Sequence, residues 1–271
     1  MIPLSSIKKE QNQNKQILLD LNCDLGQSFG VYKNELEMGL LPYVSSVSVS
    51  CGGHAGDPVT LMRVLKIAKE KNIAVGAHIG YPDLQGFGYR LMQLNDEEMQ
   101  SLVLYQLGAL YAMAKAYEVT IEHVRPHGAL YVQACQDEKV AVSLCKAIMQ
   151  FDKWLILVAA PSKALYVASE QTGLRYAPEL LLDKKYDVDG CVDFDAGNVD
   201  DEAYQLSLLE TAIKELSVKN TSGGKTKLDL KSIHLTVKDE KSIELAKRAK
   251  TLIGQPMPIP VNFVGNSGWV L

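Results

Sequence analysis

Three of the chain's five histidines come just after short apolar segments that have the composition of buried strands. An aspartate follows another such segment, and the set is Asp24, His54, His78 and His127. Imidazole groups act as acids or bases near neutral pH. One aspartate with two or three histidines is also a plausible donor set for a divalent metal ion. The spacing therefore predicts a reactive pocket, although any one of these histidines taken alone is also explained as a loop residue bonded to backbone.

Neighbouring polar residues allow both functional and structural interpretations. Asp57 precedes Pro58, a pair that suits a helix start, so Asp57 is a candidate helix cap as well as a candidate site residue. Arg90 has the geometry to hold a carboxylate through two hydrogen bonds, or it lies at the surface. Lys185 belongs to a charged segment, for which a solvated surface is the alternative.

The elements that must position these residues alternate between strands and helices. Apolar segments predict strands at residues 17–21, 46–50, 73–77, 120–124, 154–159, 174–177 and 232–237. Such alternation is typical of a parallel sheet with right-handed crossovers. Seven units suit either a barrel or an open sheet. We favour a distorted seven-stranded (β/α) barrel, because the polar segments after the first four strands would then converge at one face.

Length and composition indicate one soluble domain. The chain has 271 residues, and we predict a disordered polar tail at residues 1–16 followed by a single domain at 17–271. The net charge of −4 argues against nucleic acid or a membrane surface as a partner. We see neither a membrane-spanning segment nor the apolar core of a signal peptide, and therefore expect a cytoplasmic protein.

A glycine-rich segment near the C-terminus is not a phosphate-binding loop. Residues 223–226 read GGKT, but position 219 is Lys where the phosphate loop requires glycine. No predicted strand precedes the segment directly. The sequence therefore contains no nucleotide-binding motif of its own.

Four motifs, in order along the chain, resemble the LamB/YcsF family, the A component of 5-oxoprolinase. They are DLNCDLG at 20–26, CGGHAGDP at 51–58, YPDLQGFG at 81–88 and PHGALY at 126–131. The resemblance implies a β/α barrel of the glycoside hydrolase/deacetylase type. It also implies ATP-dependent hydrolysis of 5-oxo-L-proline to L-glutamate, carried out with separate B and C subunits. Since this chain lacks a phosphate loop, we expect the ATP step to involve those partners.

The same resemblance suggests roles for individual residues. We expect Asp24, His54 and His127 to be catalytic, with Asp24 and His127 acting as acid, base or water-orienting groups. We expect several further side chains to bind the small-molecule substrate, Arg90 or Lys185 through its carboxylate. The predicted binding set is Asn22, Asp57, His78, Tyr81, Arg90 and Lys185.

Departures from the family pattern keep two other functions open. Gln27 stands where the family usually has Glu, Tyr89 where it has Arg, and Leu235-Thr236 where a Gly-Asp pair follows the late histidine. One alternative is a stand-alone metal-dependent deacetylase or amidohydrolase, with Asp24, His54 and His78 as candidate metal ligands. The other is a small-molecule-binding subunit that has lost its chemistry.

Overall fold

Seven parallel strands close into a barrel, which confirms the predicted fold class. The computed structural model describes residues 19–260 and 262–263. The predicted tail at 1–16 lies outside these residues, as does most of the segment after Pro260. The barrel strands are β1 (Asp20–Leu25), β2 (Ser46–Ser50), β3 (Ala74–Ile79), β4 (Ile121–Pro126), β5 (Ile156–Ala159), β6 (Arg175–Leu181) and β11 (Ser232–Leu235). Strands β2 to β6 follow one another in order, and β1 closes the barrel between β2 and β11.

The barrel interior is polar because the strands alternate in sequence. In β1, Leu21, Cys23 and Leu25 belong to the hydrophobic core, while the intervening Asp20, Asn22 and Asp24 make polar contacts across the interior. The same alternation places polar side chains of β2, β4 and β11 inside. These include Ser46, Ser48, His123, Arg125, Ser232 and His234. Side chains of a strand point alternately to its two faces. The register in which the strands pair therefore decides which residues line the whole interior.

Seven α-helices surround the barrel in the described part of the chain. They are α1 (Pro58–Lys71), α2 (Asp96–Ala116), α3 (Gly128–Gln136), α4 (Glu138–Phe151), α5 (Lys163–Thr172), α6 (Glu202–Glu215) and α7 (Glu240–Ile253). Asn95 and Glu98 form a capping box at the start of α2, as the sequence indicates. No helix among the described residues is both long and apolar enough to cross a membrane.

The structure adds elements that the sequence did not predict. Strand β6 continues to Leu181, four residues past its predicted end at 177, and α3 starts directly after His127. A two-stranded ribbon, β7 (Lys185–Tyr186) with β8 (Val192–Asp193), follows β6. Strands β9 (Ser217–Lys219) and β10 (Lys225–Lys227) form a hairpin, and the GGKT segment lies in its turn and second strand. Asp24 and His78 lie inside the ends of β1 and β3, which corrects their predicted placement after those strands.

Candidate active site

Asp24 lies at the carboxyl end of the strands, which we call the mouth of the barrel, and three cationic or ionisable groups surround it. Its Oδ1 atom is 3.2 Å from His78 Nε2 and 3.2 Å from an Arg125 guanidinium nitrogen. Its Oδ2 atom is 3.4 Å from His234 Nε2. Burial alone would raise the pKa of Asp24, but His78, Arg125 and His234 together hold it well below its usual value. Asp24 is therefore a permanent anion at neutral pH.

Arg125 is fixed by a second buried carboxylate. Its Nε atom donates to both oxygens of Glu179, at 2.9 and 3.1 Å, and the Tyr131 hydroxyl donates to Glu179 Oε1 at 2.6 Å. Burial would raise the pKa of Glu179, yet the charges of Arg125 and His234 keep it below its usual value. The guanidinium group thus bridges two carboxylates and holds Asp24 in one orientation.

His78 and His127 are linked by hydrogen bonds, and the positions of their ring hydrogens can be assigned. His78 Nδ1 donates to the Arg125 carbonyl at 3.0 Å, and His127 Nε2 donates to the Phe87 carbonyl at 2.7 Å, because carbonyl oxygens only accept. The remaining nitrogens, His78 Nε2 and His127 Nδ1, are 3.0 Å apart and need one proton between them. Burial, together with the neighbouring His78, lowers the pKa of His127 to about 3. The shared proton therefore belongs to His78, which donates towards Asp24 and His127.

His54 lies against this pair without hydrogen bonding to it. Its ring stacks on His127 with a centroid distance of 3.9 Å and an interplanar angle of 16°, and its Nε2 atom is 3.1 Å from Ser50 Oγ. Gly88 makes the stack possible: a Cβ atom there would lie 2.7 Å from His54 Cβ and 2.8 Å from His127 Cδ2. Burial and the two other imidazoles hold the pKa of His54 well below its usual value, so this ring is neutral.

The predicted metal-binding role for His54 stays a prediction: His54, His78 and His127 form a possible donor group, although the ring orientations do not favour it. Nitrogens of His54, His78 and His127 lie within 4.8 Å of one another. A ligating imidazole directs its lone pair in the plane of its ring, and the nearly parallel planes of His54 and His127 do not meet at a common point. His54 Nδ1 also faces Gly80, where a Cβ atom would lie only 2.6 Å away. The His78–His127 contact is already satisfied by a proton.

The loop after β3 builds one wall of the site. Gln106 of α2 clamps Gly80 by accepting from its N–H at 3.1 Å and donating to its carbonyl at 2.9 Å. Asp83 accepts from the N–H groups of Gly86 and Arg90, which folds the loop back. Phe87 adopts φ +53°, a left-handed conformation that is uncommon for a bulky residue. This conformation accompanies the hydrogen bond that fixes the tautomer of His127.

A cavity of about 200 Å³ opens beside β11 at the mouth. It lies between the end of β11, the segment after β6 and the first residues of α6 and α7, and His234, Asp183, Lys238 and Ser242 are among its lining residues. The Asp24 side chain is 13% exposed, more than those of His78, Arg125 or His234. A small molecule in the cavity would meet His234, whose Nε2 atom lies 3.4 Å from Asp24 Oδ2.

The six predicted binding residues are dispersed. His78 contacts Asp24, whereas Asn22 lies deeper in the barrel, bonded to Ser46 and His234. Tyr81 is buried and its hydroxyl donates to Gln133. Asp57 caps α1 by accepting from Thr60 N–H at 2.7 Å, so its structural role is confirmed.

Neither residue predicted to hold the substrate carboxylate contacts Asp24. Arg90 is 62% exposed and pairs with Asp83 at 3.4 Å. Lys185 is exposed on the β7–β8 ribbon, opposite Asp193. In the described residues, these two cations therefore lie outside the network of buried charges around Asp24.

The departures from the family pattern also have defined places. Gln27 accepts from Asn34 through its side chain, and a nearby buried carboxylate, Glu37, accepts from the N–H groups of Gly26 and Gln27. Burial raises the pKa of Glu37 to about 7. Thr236 lines the cavity at the mouth, where it follows His234 by two residues.

Sequence reasoning missed Arg125, Glu179 and His234 as members of the site. Each lies on a barrel strand with its side chain inside, and alternation within β4 and β11 could have indicated Arg125 and His234. Glu179 was missed because β6 was predicted to end before it. Gln106 is a buried polar residue on an otherwise apolar helix face, a signal that helix periodicity alone does not interpret.

Comparisons with known proteins agree with this architecture. A model of the family described as the LamB/YcsF family matches residues 19–257. A protein from Campylobacter jejuni subsp. doylei, named as the A subunit of 5-oxoprolinase, is 40% identical over 235 residues, which are 86% of this chain and 92% of that protein. The protein of the same name from Pyrococcus abyssi is 38% identical over 87% of this chain and 93% of its own length.

A solved structure extends the comparison to three dimensions. The crystal structure of a lactam utilization protein from Thermus thermophilus superposes with a TM-score of 0.82 at 32% sequence identity. The match covers 90% of this chain and 100% of that one. The chain and the relatives thus share one fold along nearly their whole length.

Proposed function

The chain belongs to the LamB/YcsF family, and from this premise we propose that it opens the lactam ring in an ATP-dependent 5-oxoprolinase. In this proposal it is the A component, which acts with B and C subunits on 5-oxo-L-proline and yields L-glutamate. The names of its relatives, which refer to 5-oxoprolinase and to lactam utilization, support a lactam as substrate. Because the reaction consumes ATP, we expect it to take place in the cytoplasm.

Ring opening requires a lactam that has been activated by a component other than this chain. A five-membered lactam is an unactivated amide, and phosphorylation of its carbonyl oxygen would make the carbon more electrophilic. The sequence has no phosphate loop, and its one superficial candidate lies in a hairpin. We therefore assign ATP to the B and C subunits and the ring opening to this chain.

The observation that carries the proposal is the ionised Asp24 at the mouth of a polar barrel. Its carboxylate accepts from Arg125 and His78 and is suited to orient a water molecule or a lactam N–H. His127 acts through His78 in this scheme, since both of its ring nitrogens are already hydrogen bonded. His54 supports His127 by stacking.

The decisive experiment is reconstitution. Glutamate release from 5-oxo-L-proline and ATP is measured with this chain plus B and C subunits, and again with each component omitted in turn. We expect release only when all three are present. No release from a folded, complete mixture would overturn the proposal.

The alternatives have distinct outcomes in the same assays. A stand-alone metal-dependent amidohydrolase would release acetate or open lactams without B, C or ATP, and a chelator would abolish that activity. A non-catalytic binding protein would bind 5-oxoproline in calorimetry, and its omission would leave glutamate release unchanged.

A further inference from the structure

We propose that His234 is the acid–base residue of this site, acting through its Nε2 atom. The inference rests on the proposed ring-opening function and deepens it. His234 lies on β11, side by side with Asp24 on β1, and its side chain is 1% exposed. It is the imidazole that lines the cavity at the mouth.

The other four imidazoles lack an available nitrogen at the cavity. Both ring nitrogens of His78 and of His127 are engaged in the hydrogen bonds described above. His54 is fully buried, with Nδ1 against Gly80. His123 lies deeper in the barrel, where its Nε2 atom is 3.1 Å from Ser48 Oγ.

His234 Nε2 is the unpartnered nitrogen of a residue that does line the cavity. It is buried and makes no hydrogen bond of good geometry, and Asp24 Oδ2 lies 3.4 Å away in an ion-pair contact. His54 Nδ1 is likewise buried without a hydrogen-bond partner, but it faces Gly80, and His54 does not line the cavity. A buried polar atom left without a partner is costly and indicates a ligand or a water molecule in the functional state.

A relay of hydrogen bonds through the barrel interior sets the tautomer of His234. Asp20 accepts from the Ser46 hydroxyl at 2.9 Å, so Ser46 Oγ is free to accept from Asn22 Nδ2 at 2.7 Å. Asn22 Oδ1 must then point the other way, where it accepts from His234 Nδ1 at 3.1 Å. One ring hydrogen is thereby fixed at Nδ1, so Nε2, next to Asp24, is the nitrogen that gains and loses the second proton.

The proposed step transfers one proton in each direction. His234 Nε2 takes a proton from water while the water oxygen forms a bond to the activated lactam carbon. The ring C–N bond then breaks, its electron pair stays on nitrogen, and His234 returns the proton to that nitrogen. The new hydroxyl loses its own proton to solvent and becomes the C=O of an acyl phosphate. A second water molecule hydrolyses this acyl phosphate to glutamate and inorganic phosphate. Asp24 stabilises the imidazolium form between the two transfers. The cavity of about 200 Å³ is wide enough for several waters at about 30 Å³ each.

The first test is chemical rescue of His234→Ala in the complex of all three subunits. We expect glutamate release to fall about 10²- to 10⁴-fold, as for loss of a general base. Free imidazole should restore part of it, because the truncated side chain enlarges an existing cavity. The matched control is His123→Ala, the same truncation deeper in the barrel, where imidazole should restore nothing. Equal behaviour of the two variants would overturn the proposal.

The second test needs no turnover and so separates this inference from the proposed function. In ¹⁵N-histidine-labelled protein, the neutral His234 ring should carry its hydrogen on Nδ1, and adding 5-oxo-L-proline should shift its Nε2 signal. Asn22→Leu should abolish the preference for this tautomer. A ring protonated on Nε2 in the wild-type protein would overturn the inference even if the complex makes glutamate. The expected tautomer in a protein without activity would instead count against the proposed function alone.

Discussion

Asp20 and Asp24 occupy the same strand and point into the same barrel, Asp20 buried and Asp24 with its side chain 13% exposed, yet their surroundings are opposite. Asp20, at the amino end that we call the floor, accepts from the hydroxyls of Ser45, Ser46 and Ser232. Burial raises its pKa to about 6 despite these bonds. Asp24, at the mouth, is surrounded by Arg125 and imidazoles that hold its pKa well below normal. Charged neighbours, rather than the depth of burial, decide which carboxylate stays ionised.

This contrast separates a structural end from a chemical end of one interior. The floor is closed by Ile259, which packs with Ile156 and Val158 of β5. Its serine hydroxyls can rotate to suit either form of Asp20. At the mouth, the partners of Asp24 are fixed by further bonds, and a cavity lined by one of them, His234, opens there. The two ends should therefore respond differently to the same kind of substitution.

Removing the charge of each carboxylate gives the largest contrast. Asp24→Asn should lower glutamate release by the complete complex about 10²- to 10⁴-fold, because the carboxamide cannot replace the anion that orients the reacting groups. Asp20→Asn is the matched control on the same strand. Its carboxamide oxygen still accepts from the Ser46 hydroxyl, so the relay to His234 is kept and activity should stay within about tenfold. Comparable losses in both variants would mean that the floor takes part in the chemistry.

The buried partner of Arg125 tests whether the mouth also contributes to stability. Glu179→Gln removes the carboxylate that Arg125 contacts at 2.9 Å. Leaving a buried charge with an incomplete set of partners costs about 3–5 kcal/mol, which urea unfolding should detect. Glu244→Gln, in a surface pair with Lys247 where both side chains are about 60% exposed, should change the unfolding free energy by less than about 0.5 kcal/mol. A small effect in both would show that Asp24 alone satisfies Arg125.

The packing of the mouth can be tested at a glycine. Gly88→Ala combines φ +74° with close contacts to His54 and His127, so it should cost about 1–3 kcal/mol and disturb the histidine stack. Gly108→Ala, inside α2 with no atom within 4 Å of the added Cβ, should stabilise by about 0.5–1 kcal/mol. Thermal unfolding of both variants measures the difference. The same sign of change in both would contradict the predicted crowding.

The smallest expected effect is the contribution of Asp20, at the floor, to the pH dependence of stability. The pKa of Asp20 is raised from 3.8 to about 6 on folding, so its favourable contribution is complete below about pH 4 and is lost as pH rises through 6. Between pH 8 and pH 5, the wild type should gain about 1 kcal/mol of unfolding free energy relative to Asp20→Asn. Parallel pH profiles of the two proteins in urea unfolding would show that Asp20 does not titrate on folding.

The sequence was sufficient for the barrel but insufficient for the network inside it. Alternating apolar segments predicted seven strands, although β1 and β3 extend further, so Asp24 and His78 lie within strands. The β7–β8 ribbon has only two residues in each strand, too few for a periodic signal. Helix α3 follows His127 without a capping side chain, so no start signal marked it.

Within the site, grouping of Asp24, His78 and His127 could be predicted because each follows its own strand. The partners Arg125, Glu179 and His234 could not, since their contacts depend on the register between strands distant in sequence. Arg90 and Lys185 illustrate the opposite case. Their charge suited a carboxylate, but charge alone does not say which way a loop residue faces.

The pairing of β1 with β11 has a consequence for how this protein folds. Ser232 donates to Asp20, and His234 to Asn22, across 212 residues of chain. Contacts of such high sequence separation close a long loop and form slowly. The first and last strands of the barrel must meet before His234 can lie beside Asp24. The barrel therefore closes in the same step that brings His234 beside Asp24. A chain whose first and last strands have not yet paired lacks the assembled site and cannot react.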